Sequence, residues 1–188
     1  MVSYFAVGTY ANIIDRYHKL TDAQEDYVVL PLMGNKYYWS ALYTSMLAEE
    51  IPCSATFTCT DKEGATPRQF SAPLRMLIAS QMPLQHGGYS LTPFAMYRHH
   101  ALSATIATTE ASRLRLWHLL SREAVDGLIE EEDGVHTLSN IQKIELKVGD
   151  SGGDNSGVLL ALDGETVELP PGSEVTVQRC DMEIPFIC

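Results

Sequence analysis

The sequence predicts a mainly β domain of the α+β class, with antiparallel strands in a sandwich-like arrangement and two main helices packed on the sheet faces. Roughly seven to nine short apolar or alternating segments are separated by glycine and proline, as in antiparallel β proteins. Two segments, Lys36–Glu50 and Glu110–Ser121, carry apolar residues at helical spacing instead. With 188 residues, of which 45% are hydrophobic and 20% charged, we expect a single folded domain spanning residues 1–188.

The first part of the chain predicts one strand and two helices. Ser3–Tyr10 is an apolar, aromatic-rich run typical of a buried strand, and Gly8 permits a turn before a short helix at Ala11–Tyr17. The helix predicted at Lys36–Glu50 ends before Pro52, which cannot continue it.

The middle of the chain returns to strand patterns. Ala55, Phe57 and Cys59 alternate with threonines, which predicts a strand that ends in a turn at Asp61–Gly64. This alternation places Cys53 and Cys59 on one face of the strand, where we expect reduced thiols, with a structural disulfide as the alternative. The run Leu74–Ser80 is almost entirely apolar, as in a strand covered on both faces.

Further strands are predicted to the end of the chain. They comprise Ala101–Thr108, a segment with Ile141, Ile144, Leu146 and Val148, the run Val158–Leu162, and closing strands containing Val175, Val177 and Met182–Phe186. Asp163-Gly164-Glu165 follows one of these strands. Asp-Gly between apolar runs is a strong signal for a type I′ hairpin.

Charge and composition exclude several classes of function. Thirteen Lys and Arg against 24 Asp and Glu give a net charge of −11, which disfavours a general nucleic-acid or anionic-membrane binder but leaves room for a local basic pocket. No run of 18 apolar residues could cross a bilayer, and the N-terminal residues lack the pattern of a signal peptide. His99 and His100 would point to opposite faces of a strand, so we predict no metal site.

Five segments occur in an order that matches a known family, although each motif alone is weak. They are Tyr4–Ile14 (YFAVGTYANII), Leu32–Leu42 (LMGNKYYWSAL), Leu74–Pro83 with the following Gly87-Gly88, Ala101–Leu120 ending in SRLRLWHLL, and Val158–Glu168 (VLLALDGETVE). In this order they resemble the C-terminal domain of the sphingosine kinase and diacylglycerol kinase family of lipid kinases. The likeness extends over nearly the whole chain.

The resemblance implies that the full-length parent transfers a phosphoryl group from ATP, with Mg²⁺, to a hydroxyl of a lipid such as a sphingoid base or diacylglycerol. The family's Gly-Gly-Asp-Gly-Thr phosphate loop and catalytic aspartate are not in this sequence. The chain is therefore expected to be inactive alone and to work with an N-terminal nucleotide-binding domain. The resemblance also implies a cytoplasmic location compatible with peripheral contact with membranes, and no nucleic-acid partner.

Family roles transfer to individual positions, none of them catalytic. Asp15 resembles the acidic residue that contacts the lipid head group, and His18, Lys19 and Lys36 resemble basic contacts to nucleotide phosphate. Asp163 and Glu165 would reach the nucleotide side through Mg²⁺. The slot for the lipid tail would be lined by apolar residues for which core packing is the alternative explanation: Tyr37, Leu42, Met46, Leu74, Met76, Leu116 and Leu119.

Two other functions fit the same sequence. One is a non-catalytic β-sandwich module that binds a partner protein or a glycan, which the abundant tyrosines would suit. The other is a C-terminal domain similar to that of NAD kinases, which also carries a late Asp-Gly. A glycine-rich nucleotide loop encoded upstream would favour the lipid kinase.

Overall fold

The computed structural model describes residues 4–22, 43–47, 50–61, 64–70, 73–81, 85–86, 89–90, 92, 102–121, 134–149 and 157–178. Within these ranges the chain forms eleven strands and two helices, and residues 43–46 add one helical turn. The elements are β1 (Tyr4–Gly8), α1 (Thr9–Asp22), β2 (Cys53–Asp61), β3 (Gly64–Phe70), β4 (Leu74–Ser80), β5 (Gln85–His86), β6 (Tyr89–Ser90), β7 (Leu102–Thr108), α2 (Arg113–Ser121), β8 (Val135–Val148), β9 (Val158–Leu162), β10 (Glu165–Leu169) and β11 (Glu174–Gln178).

Nine strands form one antiparallel sheet. The strand order is β10-β9-β1-β4-β7-β8-β2-β3, with β11 also pairing with β8, while β5 and β6 form a separate two-stranded sheet. Every strand pairing among the described residues is antiparallel. The predicted mainly β, α+β class is confirmed.

Strand β8 connects the two halves of the sheet. Its first part pairs with β7, whereas residues 143–147 lie between β2 and β11. At the change of partner Asn140 has a positive φ of 55°, and the β2 and β7 ladders both shift register nearby. A bulge of this kind bends a strand, which lets β8 pair with β7 along one part and with β2 and β11 along the other.

One face of the sheet encloses an apolar cluster, here called the interior cluster. It draws fully buried side chains from both halves of the sheet, among them Phe5 of β1, Phe57 of β2 and Ile144 of β8. Cys53 and Cys59 also belong to it, on one face as predicted. Burial raises the pKa of Cys53 to about 11, so this thiol is protonated and unreactive at neutral pH.

The opposite face is covered by α1 and α2, which gives a second apolar cluster, the helix-side cluster. Ile13 of α1, Met76 and Ile78 of β4, and Leu116 and Leu120 of α2 are all fully buried in it. Both described helices therefore pack on the same face of the sheet.

The helices differ in extent from the predictions. The predicted short helix Ala11–Tyr17 is in fact α1, with fourteen residues from Thr9 to Asp22. Tyr17, His18 and Lys19 are exposed, so apolar periodicity underestimates the length of the helix. α2 begins at Arg113 rather than Glu110, because the Ser112 Oγ accepts a hydrogen bond from the Arg115 N–H (3.1 Å) and acts as the N-cap.

Several strand boundaries also differ. β1 ends at Gly8, whose positive φ of 78° turns the chain into α1, so the predicted strand Ser3–Tyr10 is two residues too long at this end. β3, an edge strand containing Pro67, was not predicted, since proline is uncommon within strands. Most of the predicted helix Lys36–Glu50 and the predicted strand Met182–Phe186 lie outside the described residues.

Candidate functional site

Three of the predicted polar residues, Asp15, His18 and Lys19, lie on α1. This helix packs against β1 and β4 and also against β9 and β10, the strands joined by Asp163-Gly164. Asp15, His18 and Lys19 therefore lie on a helix that contacts both strands of the hairpin carrying Asp163 and Glu165.

Two of the predicted residues on α1 pair with each other. The Lys19 Nζ lies 2.7 Å from the Asp15 Oδ2, one turn earlier, in an i, i+4 ion pair. The Asp15 side chain is 23% exposed and that of Lys19 is 75% exposed. The Lys19 side chain can break this ion pair and move into solvent at small cost, because i, i+4 pairs of this kind contribute only about 0.3–0.5 kcal/mol to stability. His18 is exposed, with its ring 6.1 Å from that of Tyr17.

Sequence analysis did not find the contact between Arg16 and Tyr43. The Arg16 guanidinium lies 3.6 Å from the centroid of the Tyr43 ring and links α1 to the helical turn at 43–46. Nothing in the sequence joins two residues so far apart in the chain, so only the tertiary structure reveals this pair.

The helical turn at 43–46, which Arg16 contacts, buries two polar side chains and leaves apolar side chains exposed. Thr44 and Ser45 are buried, whereas Tyr43, Met46 and Leu47 are 49%, 38% and 54% exposed. Met46, one of the residues assigned to the lipid tail, therefore lies on an exposed apolar surface and not in either apolar cluster of the described chain.

The other apolar residues assigned to the tail slot divide between the two clusters. Met76, Leu116 and Leu119 lie together in the helix-side cluster, but Leu74 lies in the interior cluster. Residues two apart in a regular strand share a face, and the register shift between Leu74 and Met76 separates these two. Leu74 and Met76 therefore cannot line one slot, and the four residues are at most 5% exposed, as in ordinary core packing. Tyr37, Leu42 and Lys36 lie outside the described residues.

The Asp163 hairpin has the predicted geometry. Asp163 and Gly164 have φ of 47° and 97°, and Leu162 pairs with Glu165, as in a two-residue type I′ turn. The Asp163 Oδ1 accepts a hydrogen bond from the Tyr4 N–H (2.9 Å), and the Asp163 N–H donates to the Tyr4 carbonyl (3.2 Å). Burial and the nearby Asp163 carboxylate raise the pKa of Tyr4. The two hydrogen bonds to Tyr4 hold the turn against β1. Asp163 and Glu165 are both exposed, so two carboxylates face solvent at this end of the hairpin.

A second arginine absent from the predictions lies near the start of α1. Arg75 is half-buried, its Nη2 is 3.7 Å from the Glu50 Oε1, and its carbonyl accepts a hydrogen bond from the Thr9 Oγ1 (2.9 Å). A single cation inside the apolar run LRMLIAS was the signal that could have identified it.

Within the described ranges no three His, Cys, Asp or Glu side chains come close enough to hold a metal ion. In the same part of the chain, no helix is long and apolar enough to span a membrane. The described polar residues assigned to a site are Asp15, His18 and Lys19 on α1 and Asp163 and Glu165 on the hairpin.

No known protein family and no characterised protein matches the sequence itself. Solved structures do resemble its fold. A diacylglycerol kinase from Bacillus anthracis str. Sterne aligns with 95% of this chain at a TM-score of 0.50 and 8% identity. Two further structures come from the same organism, and their assignment as diacylglycerol kinases is provisional. Each aligns with 95% of this chain, at TM-scores of 0.52 and 0.54 and identities of 12% and 14%.

The matched region defines the class of fold. The chain spans about half the length of these structures, 47% of one and 50% of the other two. The resemblance predicted from the order of the five segments is therefore found again in the fold. At these identities the likeness establishes the fold, that of about half of a diacylglycerol kinase.

Proposed function

We propose that this chain is the C-terminal, substrate-binding domain of an ATP-dependent lipid kinase and does not phosphorylate lipid alone. The observation that carries the proposal is the fold, which corresponds over 95% of the chain to about half of a diacylglycerol kinase. A sequence with no glycine-rich phosphate loop agrees with the lipid-binding half.

Phosphoryl transfer depends chiefly on positioning and on electrostatic stabilisation of the phosphates. In this proposal ATP and Mg²⁺ supply the phosphoryl group and neutralise its charge, and the nucleotide-binding half supplies the proton acceptor. Asp163 and Glu165 fit the nucleotide side, because exposed carboxylate oxygens are ligands that Mg²⁺ prefers. Lys19 is an exposed cation of α1 and His18 an exposed hydrogen-bond donor beside it, and both are suited to phosphate oxygens.

Asp15 has the role of orienting the lipid head group. Its carboxylate is largely shielded from water and is held by Lys19, so it can accept a hydrogen bond from a lipid hydroxyl in a region of reduced screening. Diacylglycerol is the favoured substrate class, because the similar structures bear that name; a sphingoid base is the alternative.

A binding and activity experiment tests this function. The purified chain is titrated with dioctanoylglycerol and with sphingosine, and is then incubated with labelled ATP and each lipid. We expect saturable binding of at least one lipid and no labelled product. Binding of neither lipid would contradict the substrate-binding function, and measurable phosphorylation would contradict the inactivity of the isolated chain.

Substitutions at Asp15 and its partner separate a direct contact from a structural effect. Asp15→Asn should weaken lipid binding about tenfold, the effect of losing one hydrogen bond to a charged group. Lys19→Met removes the same ion pair but keeps the carboxylate, so it should leave binding nearly unchanged. Glu174→Gln, which removes the exposed pair with Lys147 on β11, is the matched control. Equal weakening by Asp15→Asn and Lys19→Met would show that the pair matters only for stability.

A further inference from the structure

The edge of the main sheet at β10 is open. β10 is the last strand in the order of the sheet, and no described strand pairs with its outer side. Val167, at the centre of β10, is 50% exposed although it pairs with Leu160 of the interior cluster. The unpaired N–H and C=O groups of such an edge are a template on which another strand can pair.

Hydrogen bonding in the β9–β10 hairpin determines which main-chain groups point outward. Leu162 and Glu165 flank the two-residue turn and form a hydrogen-bonded pair, and such pairs alternate along an antiparallel ladder. The Asp163 N–H donates to a carbonyl of β1 instead (3.2 Å), as this alternation requires. The N–H and C=O groups of Thr166 and Glu168 therefore point away from β9, toward the open side of β10.

The strand at the other end of the sheet order, β3, is protected against an added strand. Pro67 pairs with Thr58 of β2 and has no N–H for that ladder, so its nitrogen belongs on the open side of the strand. A proline on an edge strand blocks further pairing, because it has no N–H to donate to a new strand. The five residues of β10 include no proline, so its edge can accept one.

A second copy of β10 fits this edge in one register. When the two strands run antiparallel with Val167 facing Val167, Thr166 of each copy forms a hydrogen-bonded pair with Glu168 of the other. The two valines then form a non-hydrogen-bonded pair, in which side chains approach most closely. Glu165 faces Leu169, so no carboxylate lies directly opposite another. A shift of the register would place Glu168 opposite Glu168.

The Glu168 side chain also agrees with this register. Its Oε1 accepts a hydrogen bond from the Gly157 N–H (3.1 Å), next to the start of β9, so the carboxylate is held on the side of the hairpin away from the added strand. An extended segment of another protein could use the same main-chain groups. The sequence of β10, however, already supplies each of its residues with a suitable partner, which favours a second copy.

We propose that β10 pairs with β10 of a second copy of this chain, antiparallel and about a two-fold axis at Val167, so that the two sheets become continuous. The interface is isologous, and it gives the exposed Val167 an apolar partner. One short strand from each copy makes a small interface, so the dimer is weak and depends on concentration. The proposal requires neither ATP nor lipid, so it does not rest on the lipid-kinase function.

Analytical ultracentrifugation of the full chain over a range of concentrations tests the proposal. We expect monomer and dimer in a concentration-dependent equilibrium. Val167→Lys and Val167→Glu should each weaken dimerisation about tenfold or more, because two like charges would face each other at the axis. An equimolar mixture of the two variants should dimerise again, because Lys then faces Glu.

A control variant carries the same change of charge on another strand. Thr176→Lys lies at an exposed position of β11 and should dimerise as the wild type does. Thermal unfolding followed by circular dichroism should be the same for all these variants, because the altered side chains are exposed. The proposal is overturned if the full chain is monomeric at every concentration, or if Val167→Lys dimerises as well as the wild type. It is also overturned if the mixture of Val167→Lys and Val167→Glu stays monomeric, since Val167 would then not face its own copy.

Discussion

At the scale of single residues, two glycines with positive φ occupy different surroundings. Gly8 (φ 78°) lies where β1 turns into α1, and a Cβ there would be 2.5 Å from the Arg75 carbonyl oxygen and 2.8 Å from the Ile51 Cδ1. Gly164 (φ 97°) lies in the β9–β10 turn, where the nearest atom to an added Cβ would be the Tyr4 Oη at 3.8 Å. Glycine is thus required at position 8 both by the positive φ and by the lack of room for a Cβ. At position 164 it is required by the positive φ alone.

Alanine substitutions at the two glycines should therefore have unequal effects. Gly8→Ala adds a clash with backbone to the left-handed strain and should lower the free energy of unfolding by about 3 kcal/mol or more. Gly164→Ala carries the strain alone, about 1 kcal/mol. Urea unfolding at constant pH measures both. Losses of equal size would show that the backbone at Gly8 moves aside without cost.

At the scale of elements, the β9–β10 hairpin carries two carboxylates, one that holds the neighbouring strand in place and one that is exposed. Asp163 has a positive φ and its Oδ1 holds the Tyr4 N–H, whereas Glu165 is exposed at the start of an edge strand. The two carboxylates lie two residues apart and differ in what they contact. Their substitutions distinguish stability from function.

Asp163→Ala should lower the free energy of unfolding by about 1–2 kcal/mol, through the lost hydrogen bond and the poorer fit of alanine to a positive φ. Glu165→Gln should change it by no more than about 0.5 kcal/mol, as for other exposed positions. Under the proposed lipid-kinase function, Glu165→Gln in the full-length parent should lower turnover or raise the ATP requirement. If the rate of that variant depended on ATP as the wild-type rate does, Asp163-Gly164-Glu165 would serve only as a hairpin turn.

At the scale of the whole molecule, the two apolar clusters share strands. β1 contributes Phe5 and Val7 to the interior cluster and Ala6 to the helix-side cluster, and β4 divides its residues in the same way. Neither cluster can lose its packing while these strands keep theirs. We therefore expect the described fold to unfold as one cooperative unit.

One substitution in each cluster tests this cooperativity. Phe57→Ala and Leu116→Ala should each lower the free energy of unfolding by about 2–5 kcal/mol, since both side chains are fully buried. In both variants, the transitions followed by tryptophan fluorescence and by far-ultraviolet circular dichroism should still coincide. Separate transitions in Leu116→Ala would mean that the helices detach before the sheet unfolds.

Local patterns in the sequence determined the class of fold and many of its elements. Alternation placed Cys53, Phe57 and Cys59 on one buried face, the apolar run Leu74–Ser80 marked β4, and Asp163-Gly164 gave the type I′ turn. These features depend on side-chain period and on the conformational freedom of a few residues, both of which act within a short stretch of chain.

Only the tertiary structure decided how these elements meet. The register shift between Leu74 and Met76 put the two residues in different clusters, and the bulge at Asn140 let β8 join two halves of the sheet. The Arg16–Tyr43 contact and the burial of one side of α2 likewise depend on residues far apart in the chain. Such features arise from pairing between distant strands and from which surfaces remain uncovered, and no local period of the sequence encodes either.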